Sequence, residues 1–262
     1  MIKENKIQSF LIITFALMYI PSIITIILLN NEVLTFSNPL IQILQIIAGG
    51  SPTITAFYFI FYIYDENKKK DILSRLLLFK VSPIWWGYAI VLPFIVMIIL
   101  HLLSYQNLSH ISFESSVWMN FPLILLSSIF AGGLEEIGWR GVLFDEMQDR
   151  FSIIKTTLIT GIIWALWHLP LFFINQLAFS DKNFFVYLLS TIMFSGFLVF
   201  LILKTRSILL TIIMHAAMNS TSYFGELIPV NQGIIIYIGL IVMILISFFM
   251  IYKLKPKTRF KK

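Results

Sequence analysis

Apolar residues run along this chain in blocks of about twenty, parted by short polar or basic stretches. A helical bilayer crossing takes about 20 predominantly apolar residues. Eight blocks meet that length, at roughly 8–29, 40–64, 85–104, 121–144, 156–175, 184–203, 207–223 and 233–252. The pattern predicts an all-α, polytopic membrane protein of about eight transmembrane helices, with residues 1–262 forming a single transmembrane domain. Met1-Ile-Lys-Glu-Asn-Lys-Ile7 looks like the start of a signal peptide. The block behind it is too long for a signal core and no small-residue cleavage site follows, so it is expected to remain as the first span. Gly49-Gly50-Ser51-Pro52 interrupts the second block and predicts a kink or a close helix approach. No internal repeat is visible, which disfavours an inverted-repeat transporter.

Basic residues set the expected orientation. With eight alternating spans, seventeen of the 19 Lys and Arg fall on the side that holds both termini. Only Lys182 falls on the other side, and Arg140 lies within a span. By the positive-inside rule both termini are cytoplasmic, and the expected location is the cell membrane. The basic segment from Lys68 to Pro83, with its Leu and Phe cluster, is expected either to lie along that interface or to form an ordinary positive loop.

Composition narrows the chemistry. Charged residues make up 12% of the chain, about half the roughly 25% of soluble domains. The net charge of +6 is accounted for by the basic loops, so nucleic acid is not expected as a partner. There is no cysteine, which excludes disulfides, thiolate catalysis and Cys-ligated zinc.

Charges inside the apolar blocks are the exception to this plan. Glu135, Glu136 and Arg140 lie in the fourth block, where each charge costs about 2.5–3.5 kcal/mol at the bilayer centre. On a helix Glu136 and Arg140 face each other at i and i+4, with the acid first. Glu135 is turned about 100° away, so it is expected to be the freer carboxylate. Gly132, Gly133, Gly138 and Gly141 leave room for a neighbouring backbone or a small aqueous cavity.

Two further blocks carry polar groups. Trp164 and His168 lie in the fifth, where Pro170 is expected to open the helix just beyond. His215 and Asn219 lie on one face of the seventh. The plain alternative for each is a hydrogen-bonded packing residue. Helical rise puts Glu135, His168 and His215 about 15, 18 and 12 Å from the cytoplasmic ends of their spans, in one layer. A carboxylate with a histidine can activate water. A histidine with an asparagine can stabilise an oxyanion. The same Glu and two His could instead bind Zn2+ with an open water position, although no His-Glu-x-x-His signature is present. His101 and His110 fall at a span end and in an external loop and are assigned no role.

Glu135-Glu136-x-x-x-Arg140, Trp164-x-x-x-His168 and His215-x-x-x-Asn219, each in its own apolar block, together resemble the CAAX-protease and bacteriocin-processing (CPBP or Abi) family of intramembrane endopeptidases. The resemblance covers about residues 120–225, the expected protease core. It implies that Glu135 and His168 activate water and that His215 and Asn219 form an oxyanion hole. Glu136 and Arg140 become the supporting pair. Phe is common in the family where Trp164 stands, a departure read as leaving the catalytic atoms untouched. The family is described both as metalloprotease and as metal-independent glutamate protease. In the first case Zn2+ would take Glu135, His168 and His215; in the second no cofactor is required. The implied partner is a peptide or protein, possibly lipidated or membrane-bound, within the lipid bilayer, and the oligomeric state stays open. Two other readings compete: a peptide-bacteriocin immunity or peptide-maturation protein acting partly by binding, and a proton-coupled transporter using the Glu and His groups as a relay.

Overall fold

The structure is a computed structural model that describes residues 5–105, 111, 114–225 and 233–254. His110 and the basic tail beyond Leu254 lie outside the described residues. All the regular elements among the described residues are helical. In chain order they are α1 (Lys6–Asn30), α2 (Pro39–Tyr58), α3 (Glu66–Leu76), α4 (Pro83–Tyr105), α5 (Ser115–Met119) and α6 (Phe121–Ser128). Next come α7 (Glu135–Gly138), α8 (Phe144–Gln148), α9 (Ile153–His168), α10 (Phe184–Thr205), α11 (Ile208–Ser220) and α12 (Ile234–Lys253).

Among the described residues, six helices are long and apolar enough to cross a bilayer: α1, α2 with its extension to Ile63, α4, α9 with its extension to Phe173, α10 and α12. Phe121–Gly133 and Glu135–Gln148 add a seventh if that pair, bent by 43°, is one span. The expected count of eight changes at α11, which has 13 residues. That is about 20 Å of helix, short of a hydrocarbon core of about 30 Å. Its shortness is compatible with its surroundings. It packs on α4, α6 and α10 and on the turn before α7, so it meets little lipid and carries Thr211, His215 and Ser220 buried.

The fourth block departs further from expectation, because it is broken. Ala131 (φ −90°, ψ 47°) and Gly132 (φ 131°) leave helical geometry between α6 and α7. A positive φ of that size suits glycine, which has no Cβ to clash with the backbone. The break is held from α2, where the Thr53 hydroxyl donates to the Leu134 carbonyl at 2.8 Å. It is also held by a close approach at Gly138, where an added Cβ would lie 2.6 Å from the Pro52 carbonyl oxygen. The small residues of the fourth block and the Gly-Ser-Pro interruption of the second are thus two sides of one contact.

A sharp connection sets α11 beside α10. Arg206 takes a left-handed conformation (φ 60°) and its backbone N–H closes α10 onto the Ile202 carbonyl. Ser207 then caps α11, its hydroxyl accepting from the Leu210 N–H. At the same end of the molecule α3 docks on the protein. Asp65 caps it, Ile72 is buried, and Arg75 is buried between Asp71 and Asp145. Burial alone would lower the Arg75 pKa, but the Asp145 and Asp71 carboxylates outweigh it and raise the value above that of a free guanidinium. A cavity of about 800 Å³ opens here among Lys68, Asp71, Asp145, Lys204 and Arg206, and none of Glu135, His168 and His215 lines it.

Candidate active site

The break before α7 and the lower half of α11 bring polar atoms to one point. A Cβ built on Gly132 would collide with Asn219 Nδ2 and lie 3.2 Å from His215 Nε2 and 3.6 Å from Glu135 Oε1. Those three atoms therefore gather on the face of Gly132 where a side chain would project. Glu135 and His215 are buried, at 6% and 3% exposure, and Asn219 is partly buried. Asn219 spends one of its amide hydrogens on the Ala131 carbonyl at 2.9 Å. That carbonyl is released by the helix break, so the distortion that opens the site also anchors one of its residues.

The two adjacent carboxylates differ in their surroundings. Glu136 is fully buried, and its Oε1 accepts from Arg140 Nη1 and from His215 Nδ1, each at 2.9 Å. The expected Glu136–Arg140 pair is present, and His215 joins it. Nδ1 donates to a carboxylate oxygen, so His215 Nε2 faces Glu135 and Asn219. Glu135 takes no ion pair among the described residues. Its Oε2 instead accepts from two indole N–H groups, Trp139 Nε1 and Trp164 Nε1, each at 3.1 Å. The expectation of a freer carboxylate holds for Oε1 and fails for Oε2.

His168 ends α9 as its last residue, and the chain passes into a 3₁₀ turn at Leu169–Phe173. Pro170 cannot donate the next helical bond, which explains the change. Nδ1 of His168 lies 2.9 Å from the Trp164 carbonyl, four residues back. Because a carbonyl can only accept, Nδ1 carries the proton in this pairing and Nε2 is left as an acceptor in the neutral ring. Trp167, Phe179 and Tyr187 pack around the imidazole with ring centroids 4.5, 5.5 and 5.3 Å away.

Trp164 links these parts, which corrects the reading of its motif. Its indole N–H bonds Glu135, its carbonyl accepts from His168, and its ring lies edge-on to His215 at 5.1 Å. The Arg140 guanidinium sits over the same ring at 5.2 Å. The departure from Phe at this position does touch the candidate catalytic carboxylate. Trp139, the second donor, carries no motif signal beyond standing four residues after Glu135, the same spacing that links Glu136 to Arg140.

A zinc site would require Glu135, His168 and His215 to converge on one ion. Among the described residues no three His, Asp or Glu side chains group closely enough to hold a metal ion. The donor set does not fit Zn2+ as arranged. Of the two remaining histidines, His101 is buried near the Tyr105 ring, and His110 is not described.

Residues 116–221, which include all six candidate residues, match the family described as type II CAAX prenyl endopeptidase Rce1-like. The chain is similar to CAAX prenyl protease 2 of Methanococcus maripaludis, with 30% identity over 187 residues. That alignment covers 64% of this chain and 66% of the relative, so the chain spans about two thirds of the relative's length.

Proposed function

We infer that this chain, a multi-pass membrane protein that belongs to the Rce1-like, CAAX-protease (CPBP) family, is an intramembrane endopeptidase. We further propose that it hydrolyses a peptide bond near the C-terminus of a lipidated, membrane-held peptide. The substrate class rests on the name of the archaeal relative, a CAAX prenyl protease. The observation that carries the reaction type is the convergence of Glu135 Oε1, His215 Nε2 and Asn219 Nδ2 beside Gly132.

In this reading a water molecule beside Glu135 Oε1 gives its proton to the carboxylate as it attacks the scissile carbonyl. The acceptor nitrogen of His168 shares the orientation of that water. The carbonyl carbon becomes tetrahedral, and the developing oxyanion is met by Asn219 Nδ2 and by an N–H on His215 Nε2. Since Nδ1 of His215 already donates to Glu136, an N–H on Nε2 makes the ring an imidazolium. The charges then balance, with Glu135 and Glu136 against Arg140 and His215. Protonated Glu135 returns its proton to the leaving amine as the C–N bond breaks. Glu136 and Arg140 hold His215 and touch no substrate. No step in this scheme requires a metal.

Lys68, Arg75, Lys204 and Arg206 gather around one cavity, and the positive-inside rule assigns that end of the molecule to the cytoplasm. The test is incubation of the protein in liposomes with a farnesylated C-terminal CAAX peptide, with products read by mass spectrometry. The expected product is the released tripeptide, formed by wild type and not by Glu135→Gln. Equal release by both proteins would overturn the assignment.

A further inference from the structure

Glu135 is held in an unusual way for a buried carboxylate. One oxygen accepts from two indoles and the other accepts from neither. The indoles come from different places: Trp139 is one helical turn ahead in the same segment, and Trp164 is in α9. Both are themselves fixed, with 0% and 2% exposure. Trp139 lies edge-on to Phe10 at 6.2 Å and to Trp167 at 5.7 Å, while Trp164 is flanked by Arg140 and His215. A carboxylate group is planar. Fixing Oε2 from two directions therefore fixes the rotation of the whole group and the direction in which Oε1 points. That direction is towards Gly132, His215 and Asn219.

We propose that Trp139 and Trp164 are positioning residues for the hydrolysis, acting through Glu135: a two-indole clamp that leaves only Oε1 as proton acceptor. The clamp also supplies something the ion pair on Glu136 cannot. An indole N–H stabilises a buried carboxylate without bringing a formal positive charge against it. Glu135 is left with Oε1, an oxygen that neither indole occupies, to take a proton. Glu136, bonded on Oε1 by a guanidinium and an imidazole, is not free in this sense. The neighbouring carboxylates are thus separated into base and brace by the donors they meet.

The proposal rests on the hydrolase reading, and two measurements separate their failures. The first needs no activity. The chain has 6 tryptophans, hence six indole N–H resonances in indole-15N-labelled protein in micelles. Trp139→Phe and Trp164→Phe each delete one and so assign the pair. Glu135→Gln, which replaces a charged acceptor with a neutral one of the same shape, is expected to move those two proton resonances upfield and leave the other four. If neither moves, there is no clamp. The second measurement is kinetic. Trp164→Phe is expected to lower kcat between about tenfold and a hundredfold, the range for a hydrogen bond to a charged group, with KM within about twofold. Trp139→Phe tests the other donor in the same way if Trp164→Phe does not fold. Unchanged kcat in a folded variant, or a loss carried wholly by KM, overturns the positioning role. Full cleavage by Glu135→Gln would overturn the hydrolase reading instead, whatever the resonances do.

Discussion

The side-chain amide of Asn219 occupies the place where a Cβ on residue 132 would sit. Gly132 and Asn219 are therefore one structural unit, formed by a helix break on one side and a short helix on the other. Gly132→Ala meets two obstacles at once, a φ of 131° and a collision with Asn219. Backbone strain of this kind costs about 1–3 kcal/mol. Gly132→Ala is expected to lower the thermal midpoint by several degrees and to reduce turnover about a hundredfold or more, because the displaced Asn219 is a proposed oxyanion donor. Turnover in liposomes together with a detergent melting curve checks both parts.

Arg140 and Glu136 are both fully buried and joined at 2.9 Å. Removing one partner of such a pair leaves a bare charge and costs about 3–5 kcal/mol. Arg140→Met alone is expected to be strongly destabilised. The double variant Arg140→Met with Glu136→Gln is expected to recover part of the stability and none of the activity, because His215 has lost its charged acceptor. Melting midpoints across the four proteins of the cycle measure the coupling.

At Gly138 the test is steric. A methyl group there would press on the Pro52 backbone at 2.6–2.9 Å, and a backbone cannot rotate away as a side chain does. Overpacking of this sort costs about 1–3 kcal/mol. Gly138→Ala is expected to lower both stability and kcat, since α2 also braces the site segment through Thr53 and Leu134. Gly87, which has nothing within 4 Å of an added Cβ, is the control and is expected to tolerate Ala.

Arg75 supplies a prediction outside the membrane-spanning part. Its pKa is raised by Asp145 and Asp71 against the lowering effect of burial. A raised folded-state value on a cation means stability present below the unfolded value and lost only as pH rises through the folded one. Both lie above the pH range in which the protein can be assayed. The stability difference between wild type and Arg75→Met is therefore expected to stay constant from neutral pH up to about pH 10. Limited proteolysis at Lys68–Lys70 is expected to be faster in the variant, because α3 loses its anchor on Asp145. A difference that fades between pH 7 and 10 would contradict this.

Much of this was legible in the chain itself. The apolar blocks give the helical membrane class, and the six polar residues stand out because charge is costly where they lie. Three features were not legible, each because it depends on a contact between distant segments. The break at Ala131–Gly132 was hidden, since glycine fits a packed helix as well as a broken one. The length of α11 was hidden because its apolar residues are buried by protein, and hydropathy does not distinguish that from burial by lipid. The indole donors were hidden because Trp in an apolar block reads as packing. Only the fold shows that two of the six tryptophans meet one carboxylate.

The central claim is that the unclamped oxygen of Glu135 activates water inside the membrane. Its most direct test is single-turnover cleavage of a lipidated peptide by the protein in liposomes, with wild type compared against Glu135→Gln at equal, verified folding. The account predicts that this exchange of one oxygen for an NH2 group lowers the rate by about 10²–10⁴-fold, the usual contribution of a general base, with peptide binding intact. Cleavage within a few-fold of wild type would contradict it.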